Sequence, residues 1–349
     1  MTDQSAHTGR QDENSGGDRQ DTAPAPTARR SRAYRGGHLV AQDFPLADLS
    51  EFIKEPDAAA WFDFESPTPE ELERLRDELG LHTLAIEDAE HLRQRPKVDR
   101  YEGYLVLSAY RVRADAEGEI DASIVLAFIT GNALVTVHEP GTLDVEDLLR
   151  RWDGSSDLLR HGLPFLVYGL LDSIVDGYFE ALQTLDDTIE NLSDLIFETA
   201  SGKESAVTLR QTFDLRRGLL AARHVITPMR EVANALMRLT AIDPELMPYY
   251  QDLYDHVLRA ADWADNLRDL LGTVRETQLT IQGNRMNLIM KKVTSWAAII
   301  AVPTAVTGFY GQNVPYPGFS TMDGFWTSTG LILGLSALLY LEFKRRDWL

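Results

Sequence analysis

The sequence predicts an α+β domain, then long stalk helices, then two membrane-spanning helices at the C-terminal end. Runs rich in β-branched and aromatic residues alternate with helical segments up to about residue 163. Beyond that point strand-type alternation disappears and the pattern has a helical period. Two long apolar stretches, residues 293–310 and about 325–343, come last. Because eighteen helical residues span roughly 27 Å, each stretch is long enough to cross a bilayer.

Bulk composition limits the classes of function. The 349 residues include no cysteine, which excludes disulfides, thiolate metal sites and cysteine nucleophiles. The formal net charge is −20, and the acidic excess lies in the part before the apolar stretches. An acidic soluble portion without clustered Lys and Arg excludes nucleic acid as a partner. No phosphate-binding loop, nucleophile elbow or zinc-protease motif is present, so we expect no enzyme.

The N-terminal half divides into a tail and a folded domain. Residues 1–35 have almost no large apolar side chain and are predicted to be a disordered tail. Residues 36–163 form the predicted α+β domain. In it, Thr68-Pro69-Glu70-Glu71 is a helix start, and that helix ends near Gly80. A short helix is predicted over 84–91, and strands over 104–112, 120–129 and 133–138, the last two joined in a hairpin by Gly131-Asn132.

Residues 164–286 are predicted to be helical and to end in a long stalk helix. Pro248 lies in the first turn of that helix, and no further proline occurs before Pro303. Apolar residues recur along it at spacings of four and three: Leu253, Val257, Ala260, Ala264, Leu267, Leu271 and Val274. This heptad seam favours association with other helices. A helix of about sixty residues would reach roughly 90 Å and is typical of an oligomer stalk.

The C-terminal part is predicted to cross the membrane twice. The first span covers 287–310, an outer loop covers 311–326, the second span covers 327–343, and a basic tail covers 344–349. Lys291 and Lys292 precede the first span, and Lys344, Arg345 and Arg346 follow the second. The loop between them has no Lys or Arg. The positive-inside rule therefore predicts a multi-pass membrane protein with both termini in the cytoplasm.

One face of the first predicted span carries only small, polar or flexible residues. They recur at spacings of three and four: Asn287, Met290, Thr294, Ala297, Ala301, Thr304 and Gly308. Such a stripe either packs tightly against another helix or lines water. Asn287 at one end, Asn313 beyond the other end, and the heptad seam before the stripe favour a pore made by several copies.

Asparagine at both ends of the stripe suits a hydrated cation. A small divalent ion such as Mg²⁺ gives up its water reluctantly. A ring of amide oxygens can hydrogen-bond the hydrated ion without holding it too strongly to leave, whereas a carboxylate ring would hold it longer.

The chain resembles the CorA-type magnesium transporters. The resemblance rests on the order of an α+β domain, a stalk helix entering the first span, Tyr310-Gly311-Gln312-Asn313, a short loop, a second span and a basic tail. Residues 284–291 and 249–256 resemble pore and stalk stretches of that family. Residues 86–88 with 95–97 resemble its acidic segment. The resemblance covers everything after about residue 36.

This resemblance implies a homopentameric funnel in the plasma (inner) membrane, with Mg²⁺ as the transported and regulatory ion. Gly311, Gln312 and Asn313 would form the outer selectivity ring. Asn287 would form an inner polar ring, and the rest of the stripe would line the path between them. Asp88 and Asp252 match the positions where the family binds a regulatory divalent ion between neighbouring cytoplasmic domains. Occupied sites would hold the closed state.

One departure from the family keeps alternatives open. The usual tripeptide is Gly-Met-Asn, whereas this chain has Gly311-Gln312-Asn313. Zinc, cobalt or nickel therefore remain open as transported ions, as does transport coupled to protons. A membrane-anchored sensor without transport and an anchored soluble-domain enzyme are the other classes. The sensor predicts that Asn313→Ala is silent, and the enzyme lacks a recognisable catalytic set.

Overall fold

The computed structural model describes residues 29–55, 57–198, 205–240, 242–312 and 315–349. The first 28 residues of the predicted disordered tail lie outside this range. The described chain divides into two compact units. The first contains residues up to 111, residues 123–173 and residues 231–253, and the second contains residues 112–122, 174–230 and 254–349.

The α+β fold predicted from the sequence is confirmed, and the described residues form a sheet of seven strands. Their order is β2-β1-β3-β7-β6-β5-β4. The strands are β1 Arg29–Arg35, β2 His38–Gln42, β3 Ala58–Glu65, β4 Lys97–Arg100, β5 Tyr104–Ala114, β6 Ile120–Thr130 and β7 Ala133–His138. The β6–β7 pair is the antiparallel hairpin predicted from Gly131-Asn132, and Gly131 has a φ of +50°. The central β3–β7 pair is parallel.

Helices cover both faces of the sheet. Phe62 and Phe64 of β3 belong to a buried cluster with Leu72, Leu75 and Ile86 from the helices of one face. Trp61 points to the other face and meets Trp152 edge-on, with ring centroids 5.2 Å apart. The short helices of the domain are α1 Leu49–Ile53, α2 Pro69–Leu79, α3 Thr83–His91, α4 Val145–Asp153 and α5 Ser156–Leu159.

The predicted start of α2 is confirmed in detail. Glu71 N donates to Thr68 Oγ1 at 3.3 Å, and Thr68 N donates to Glu71 Oε2 at 2.8 Å, which completes a capping box. Pro69 occupies the first helical position, where no N–H is needed. Gly80 ends the helix with a φ of +65°, a conformation that glycine adopts without steric cost.

The predicted tail extends too far at its C-terminal end. Residues 29–35 are strand β1, which pairs with both β2 and β3. Ala33 and Tyr34 are buried, while Arg30 and Arg32 form ion pairs with Glu146 and Asp153. Four arginines in this stretch made it appear too polar to fold, but ion pairs with α4 and the ladder with β3 stabilise it.

The region after the sheet is helical, as the sequence predicts, and its described residues form five helices. They are α6 Leu163–Glu198, α7 Ser205–Ile226, α8 Met229–Leu239, α9 Met247–Tyr310 and α10 Met322–Arg345. Helix α9 has 64 residues and includes Pro248 in its first turn. In the second unit, Arg223 Nε of α7 donates to Asp265 Oδ1 of α9 at 2.5 Å. Phe179 of α6 packs against Trp263 of α9, with ring centroids 6.2 Å apart.

The heptad seam of α9 is buried inside the single chain. Every one of its residues is less than 9 % exposed: Leu253, Val257, Ala260, Ala264, Leu267, Leu271 and Val274. The seam therefore does associate with helices, but with helices of the same chain. It cannot by itself hold an oligomer together, because a surface already covered within one chain is not available to another.

Within the part of the chain that the structure describes, helices α9 and α10 are the two that are long and apolar enough to cross a membrane. Only 6 % of the apolar window of each is buried within the chain. Helix α10 begins at Met322 and ends at Arg345, so that it is longer at both ends than the predicted span of 327–343. Thr321 caps it, since Gly324 N donates to Thr321 Oγ1 at 3.3 Å.

Candidate ion pathway and regulatory carboxylates

The chain turns sharply where α9 ends. Gly311 N donates to Thr307 O at 2.8 Å, and Gln312 N donates to Phe309 O at 3.3 Å. A Cβ atom at position 311 would lie 2.8 Å from Thr307 O, which is closer than such contacts allow. Glycine is therefore required for this turn. Gly311 and Gln312 are exposed, whereas the predicted selectivity residue Asn313 lies outside the described residues.

An aromatic cluster holds the loop after this turn against the end of α9. Tyr316 Oη donates to Tyr310 O at 2.9 Å, and the two rings have centroids 5.0 Å apart. Phe319 meets the other side of Tyr316, with centroids 5.3 Å apart. The carbonyl of Tyr310 is one of the orphan acceptors of a helix end, and the tyrosine hydroxyl satisfies it.

The predicted pore stripe lies on an uncovered face of α9. All seven of its residues are exposed in the single chain: Asn287, Met290, Thr294, Ala297, Ala301, Thr304 and Gly308. The covered residues of the same segment lie on another face: Ser295, Ala298, Ile299, Val302, Pro303, Val306 and Tyr310. At 100° per residue the two faces point about 150° apart. The structure thus places the stripe residues on one side of α9, within a wider uncovered surface that also exposes Val293, Trp296, Ile300 and Phe309.

Three residues of the stripe line a shared groove at its basic end. Asn287, Met290 and Thr294 border a groove of about 600 Å³ together with Lys291 and Trp348. Trp348 stacks on Phe343 with ring centroids 5.7 Å apart, which brings the chain end back toward α9. The lysines before the first span and the basic tail after the second therefore lie at the same end of the helix pair. The role of Trp348 could not be predicted from the sequence, because only the turn after α10 brings this residue to Asn287.

Asp88 is already bound by two side chains from the segment that follows α3. Gln94 Nε2 donates to Asp88 Oδ1 at 2.7 Å, and Lys97 Nζ lies 3.2 Å from Asp88 Oδ2. Leu92 ends α3 in the left-handed region with a φ of +36°, and this turn directs the chain back toward Asp88. Such a conformation costs a non-glycine residue about 1 kcal/mol.

Lys97 lies between two carboxylates. Its Nζ is 2.6 Å from Asp99 Oδ2 in addition to the contact with Asp88. Burial alone would lower the pKa of Lys97, but the hydrogen bonds and charges of Asp99 and Asp88 raise this pKa above its ordinary value. Lys97 therefore stays charged at neutral pH. From the sequence, Lys97 was recognised only as part of the 95–97 stretch and not as a partner of Asp88.

Asp252 lies on an exposed face of α9, next to the buried Leu253. Within the described ranges of one chain, no group of three or more His, Cys, Asp or Glu residues could hold a metal ion. An ion site formed by Asp88 and Asp252 of neighbouring chains stays a prediction.

Comparisons with known proteins agree with this architecture. The family model described as "CorA-like Mg2+ transporter protein" matches residues 56–345. The chain is 30 % identical over 284 residues to the cobalt/magnesium transport protein CorA of Thermotoga maritima, with 80 % of each sequence covered. It is 26 % identical over 317 residues to the protein of the same name from Methanocaldococcus jannaschii, covering 89 % of this chain and 98 % of that one.

The fold is also similar to that of a solved full-length protein. The complete structure of the CorA magnesium transporter from Methanocaldococcus jannaschii superposes with a TM-score of 0.76 at 24 % identity. The superposition covers 91 % of this chain and 98 % of that chain. The similarity therefore extends over the α+β domain, the long helix and the two apolar C-terminal helices.

Proposed function

Because the chain belongs to the CorA-like Mg²⁺ transporter family, we propose that it forms a homopentameric pore that conducts Mg²⁺ down its electrochemical gradient. The chain is a divalent metal ion transporter of that family and not an enzyme. The pentamer, the pore and the direction of transport are the parts that we propose. For a doubly charged ion, 100 mV across the membrane supplies about 4.6 kcal/mol toward the negative side.

The single observation that carries the proposal is the uncovered polar stripe of α9. A single chain surrounded by lipid would leave the amide of Asn287 without hydrogen-bond partners, which costs free energy. The hydroxyl of Thr304, by contrast, already donates to Ile300 O at 3.1 Å. Several copies arranged with their stripes inward would instead give one continuous path, from Asn287 at the basic end to Gly308 at the other.

The outer entrance of this path is proposed to be a ring of Gly311, Gln312 and Asn313. The turn at Gly311 supports this arrangement because it stops α9 and leaves Gln312 exposed. Amide oxygens from five chains would hydrogen-bond a hydrated ion, which suits Mg²⁺ because this ion retains several of its waters.

We propose that Asp88 and Asp252 of neighbouring chains bind the regulatory divalent ion. In a single chain the carboxylate of Asp88 is neutralised by Lys97. A divalent ion that binds there must therefore displace the lysine or share the carboxylate with it. This competition would tune the ion concentration at which the closed state is stabilised.

The protein is proposed to cross the plasma (inner) membrane twice. Both of its termini would then lie in the cytoplasm. The two basic clusters at one end of the helix pair support it. The chain has no cysteine, so Ser320→Cys and Thr83→Cys each introduce a single thiol. A membrane-impermeant maleimide added to intact cells should label the first variant and not the second.

Other ions remain the second candidate, and the observation that favours them is Gln312. It replaces the methionine of the family tripeptide and adds an amide at the proposed entrance. A relative of 30 % identity is named for cobalt as well as magnesium. The anchored-sensor alternative remains for the case in which no ion passes.

Ion flux into proteoliposomes tests the proposal. Wild type and Asn313→Ala would be compared with Mg²⁺, Co²⁺ and Zn²⁺ separately, with and without a pH gradient. We expect Mg²⁺ flux that follows membrane potential and is lost in the variant. The matched control is Asn266→Ala, the same change on an exposed part of α9 before the apolar segment.

Each other outcome would replace the proposal. Zn²⁺ flux that requires a pH gradient would assign proton-coupled zinc transport. Absence of flux for all three ions would favour the anchored sensor. A flux that is equal in Asn313→Ala and wild type would remove the outer ring.

A further inference from the structure

A buried polar cluster lies at the centre of the otherwise apolar sheet of the first unit. Asp63 of β3 and Thr136 and His138 of β7 are 3 %, 0 % and 1 % exposed. None of these residues has a role in the proposed pore or in the regulatory carboxylates. Ionisable side chains are almost never buried to this extent unless they are paired, so the cluster requires an explanation.

The hydrogen bonds of the cluster form a chain from Trp61 to His138. Trp61 Nε1 donates to Thr136 Oγ1 at 3.1 Å, and the Thr136 hydroxyl donates to Asp63 Oδ1. His138 Nε2 lies 3.1 and 3.2 Å from the two oxygens of Asp63. On the other side of the ring, His138 Nδ1 lies 2.9 Å from Glu139 O.

The number of protons in this cluster follows from these contacts. Both ring nitrogens of His138 face oxygen atoms, and the carbonyl of Glu139 can only accept. The single proton of the Thr136 hydroxyl is already donated to Asp63. The contact between His138 and Asp63 therefore needs one shared proton, either on Nε2 or on the carboxyl group. Without it, a ring lone pair would face a buried carboxylate, and neither group could reach water.

The cluster bridges the one junction between the two halves of the sheet. In the strand order of the described chain, β2-β1-β3 and β7-β6-β5-β4 meet only where β3 pairs with β7. Three side-chain contacts cross that junction: Trp61 to Thr136, Thr136 to Asp63, and Asp63 to His138. A change in the cluster would therefore act on the pairing that holds the sheet together.

Strands β1 and β3 each place a charged residue next to the pair, whereas β6 does not. On β1, Arg30 is the cross-strand neighbour of Asp63, and its guanidinium binds Glu146 of α4 at 2.7 Å. On β3, Glu65 is the register neighbour of His138. On β6 the neighbour of His138 is the apolar Val125. Arg111 of β5 donates at 3.0 Å to the carbonyl of Thr142, a residue of the loop that follows β7.

The balance of these groups favours the protonated ring. Burial would lower the pKa of His138, but the hydrogen bond and charge of Asp63, the carbonyl of Glu139 and the charge of Glu65 together raise this pKa above its ordinary value of 6.5. The resulting stabilisation is complete below pH 6.5, the value of the unfolded chain, and is lost as the pH rises through the folded value.

We propose that Asp63 and His138 form a proton-operated clamp between the two halves of the sheet, closed while the pair holds its shared proton and weakened when alkaline pH removes it. The α+β domain thereby acquires a built-in sensitivity to pH that is separate from any divalent ion. Trp61 donates a hydrogen bond to Thr136 of the cluster and packs against Trp152. Its fluorescence can therefore report on a change in the clamp.

Thermal unfolding of the full chain in detergent, followed by tryptophan fluorescence from pH 6.0 to 8.5, tests the clamp. We expect the midpoint of wild type to fall as the pH rises above 6.5, with an unfolding constant that grows by at most about tenfold per pH unit, the limit for one proton. In Asp63→Asn the new amide can donate to neutral His138 while its oxygen accepts from Thr136. That variant should show the opposite dependence, because a protonated ring would lose its counter-charge.

Two further variants make the result decisive. His138→Gln should remove most of the pH dependence, since its amide does not titrate. His38→Gln changes an exposed histidine of β2 and should retain the wild-type profile. If His138→Gln fails to fold, the reversed sign in Asp63→Asn still decides the matter. Wild type and Asp63→Asn with parallel pH profiles would overturn the clamp.

Discussion

Lys97 Nζ lies 3.2 Å from Asp88 Oδ2, so the carboxylate proposed to bind a regulatory divalent ion already has a cation of its own chain beside it. Both side chains are only partly exposed, at 33 % and 19 %. A divalent ion that binds Asp88 must compete with Lys97 for the same carboxylate. Its net binding free energy is therefore smaller than its interaction with Asp88 alone would give. If Asp88 binds the proposed ion, Lys97 would raise the ion concentration that the site requires.

Lys97→Gln should tighten binding of divalent ions to the closed state. The gain should be up to about fivefold in affinity, because a partly exposed ion pair is worth about 1 kcal/mol or less. Protection of the full chain from protease, titrated with Mg²⁺, measures it. Lys54→Gln, which removes an exposed lysine after α1, is the control. An unchanged titration in Lys97→Gln together with loss of protection in Asp88→Asn would keep the site and exclude the competition.

Local signals in the sequence were sufficient for much of the fold. The capping box at Thr68, the Gly131-Asn132 hairpin and the uninterrupted helix after Pro248 each depend on residues close together in the chain, and the structure contains all three. Strands β1, β2, β3 and β4 were not predicted. In β1, Arg30 and Arg32 pair with acids more than a hundred residues away, and no pattern in the strand itself reveals such partners.

The candidate sites were predictable to a smaller extent. The stripe on α9 could be read from its spacing of three and four, since a helical period places its residues on one face whatever surrounds them. The spacing of the heptad seam does not show which helices cover it. A seam buried against helices of the same chain has the same spacing as one buried between subunits. The contacts of Asp88 with Lys97 and of Asp63 with His138 depend on a turn and on a sheet register, respectively, and neither is encoded in a motif.

Asn287→Asp should change the kinetics of transport rather than abolish it. A ring of carboxylates would hold a divalent ion longer than a ring of amides, because the ion must regain its water to leave. We expect a lower half-saturating Mg²⁺ concentration together with a lower maximal flux in proteoliposomes. Asn287→Gln retains a neutral amide and serves as the control. Equal kinetics for the Asp and Gln variants would remove residue 287 from the conduction path.

Leu271→Ala should destabilise the protomer without dissociating the oligomer. Leu271 is 4 % exposed within one chain, and truncating such a core leucine costs roughly 2–5 kcal/mol. Leu270→Ala is the matched control, since the preceding residue is 44 % exposed. Thermal midpoints and native mass spectra of both variants measure the two effects. Dissociation of the oligomer by Leu271→Ala at an unchanged midpoint would instead assign the seam to a contact between chains.

Two glycines in long helices should respond to alanine in opposite directions. A Cβ at Gly169 of α6 would lie 2.5 Å from Nε1 of Trp152, which is fully buried, whereas a Cβ at Gly272 of α9 would meet nothing within 4 Å. Gly169→Ala forces the indole to move and should cost about 1–3 kcal/mol. Gly272→Ala only removes backbone freedom from the unfolded chain and should gain about 0.5–1 kcal/mol.

Thermal unfolding of the two alanine variants separates packing from helix propensity. Because alanine favours a helix equally at both positions, any difference between them comes from what the new methyl group contacts. A lower midpoint for Gly169→Ala together with a higher midpoint for Gly272→Ala confirms the close approach of α6 to Trp152. A higher midpoint for both variants would mean that the Trp152 ring can move away from position 169 without loss of stability. The Trp61–Trp152 contact would then be too loose to report on the Asp63–His138 pair.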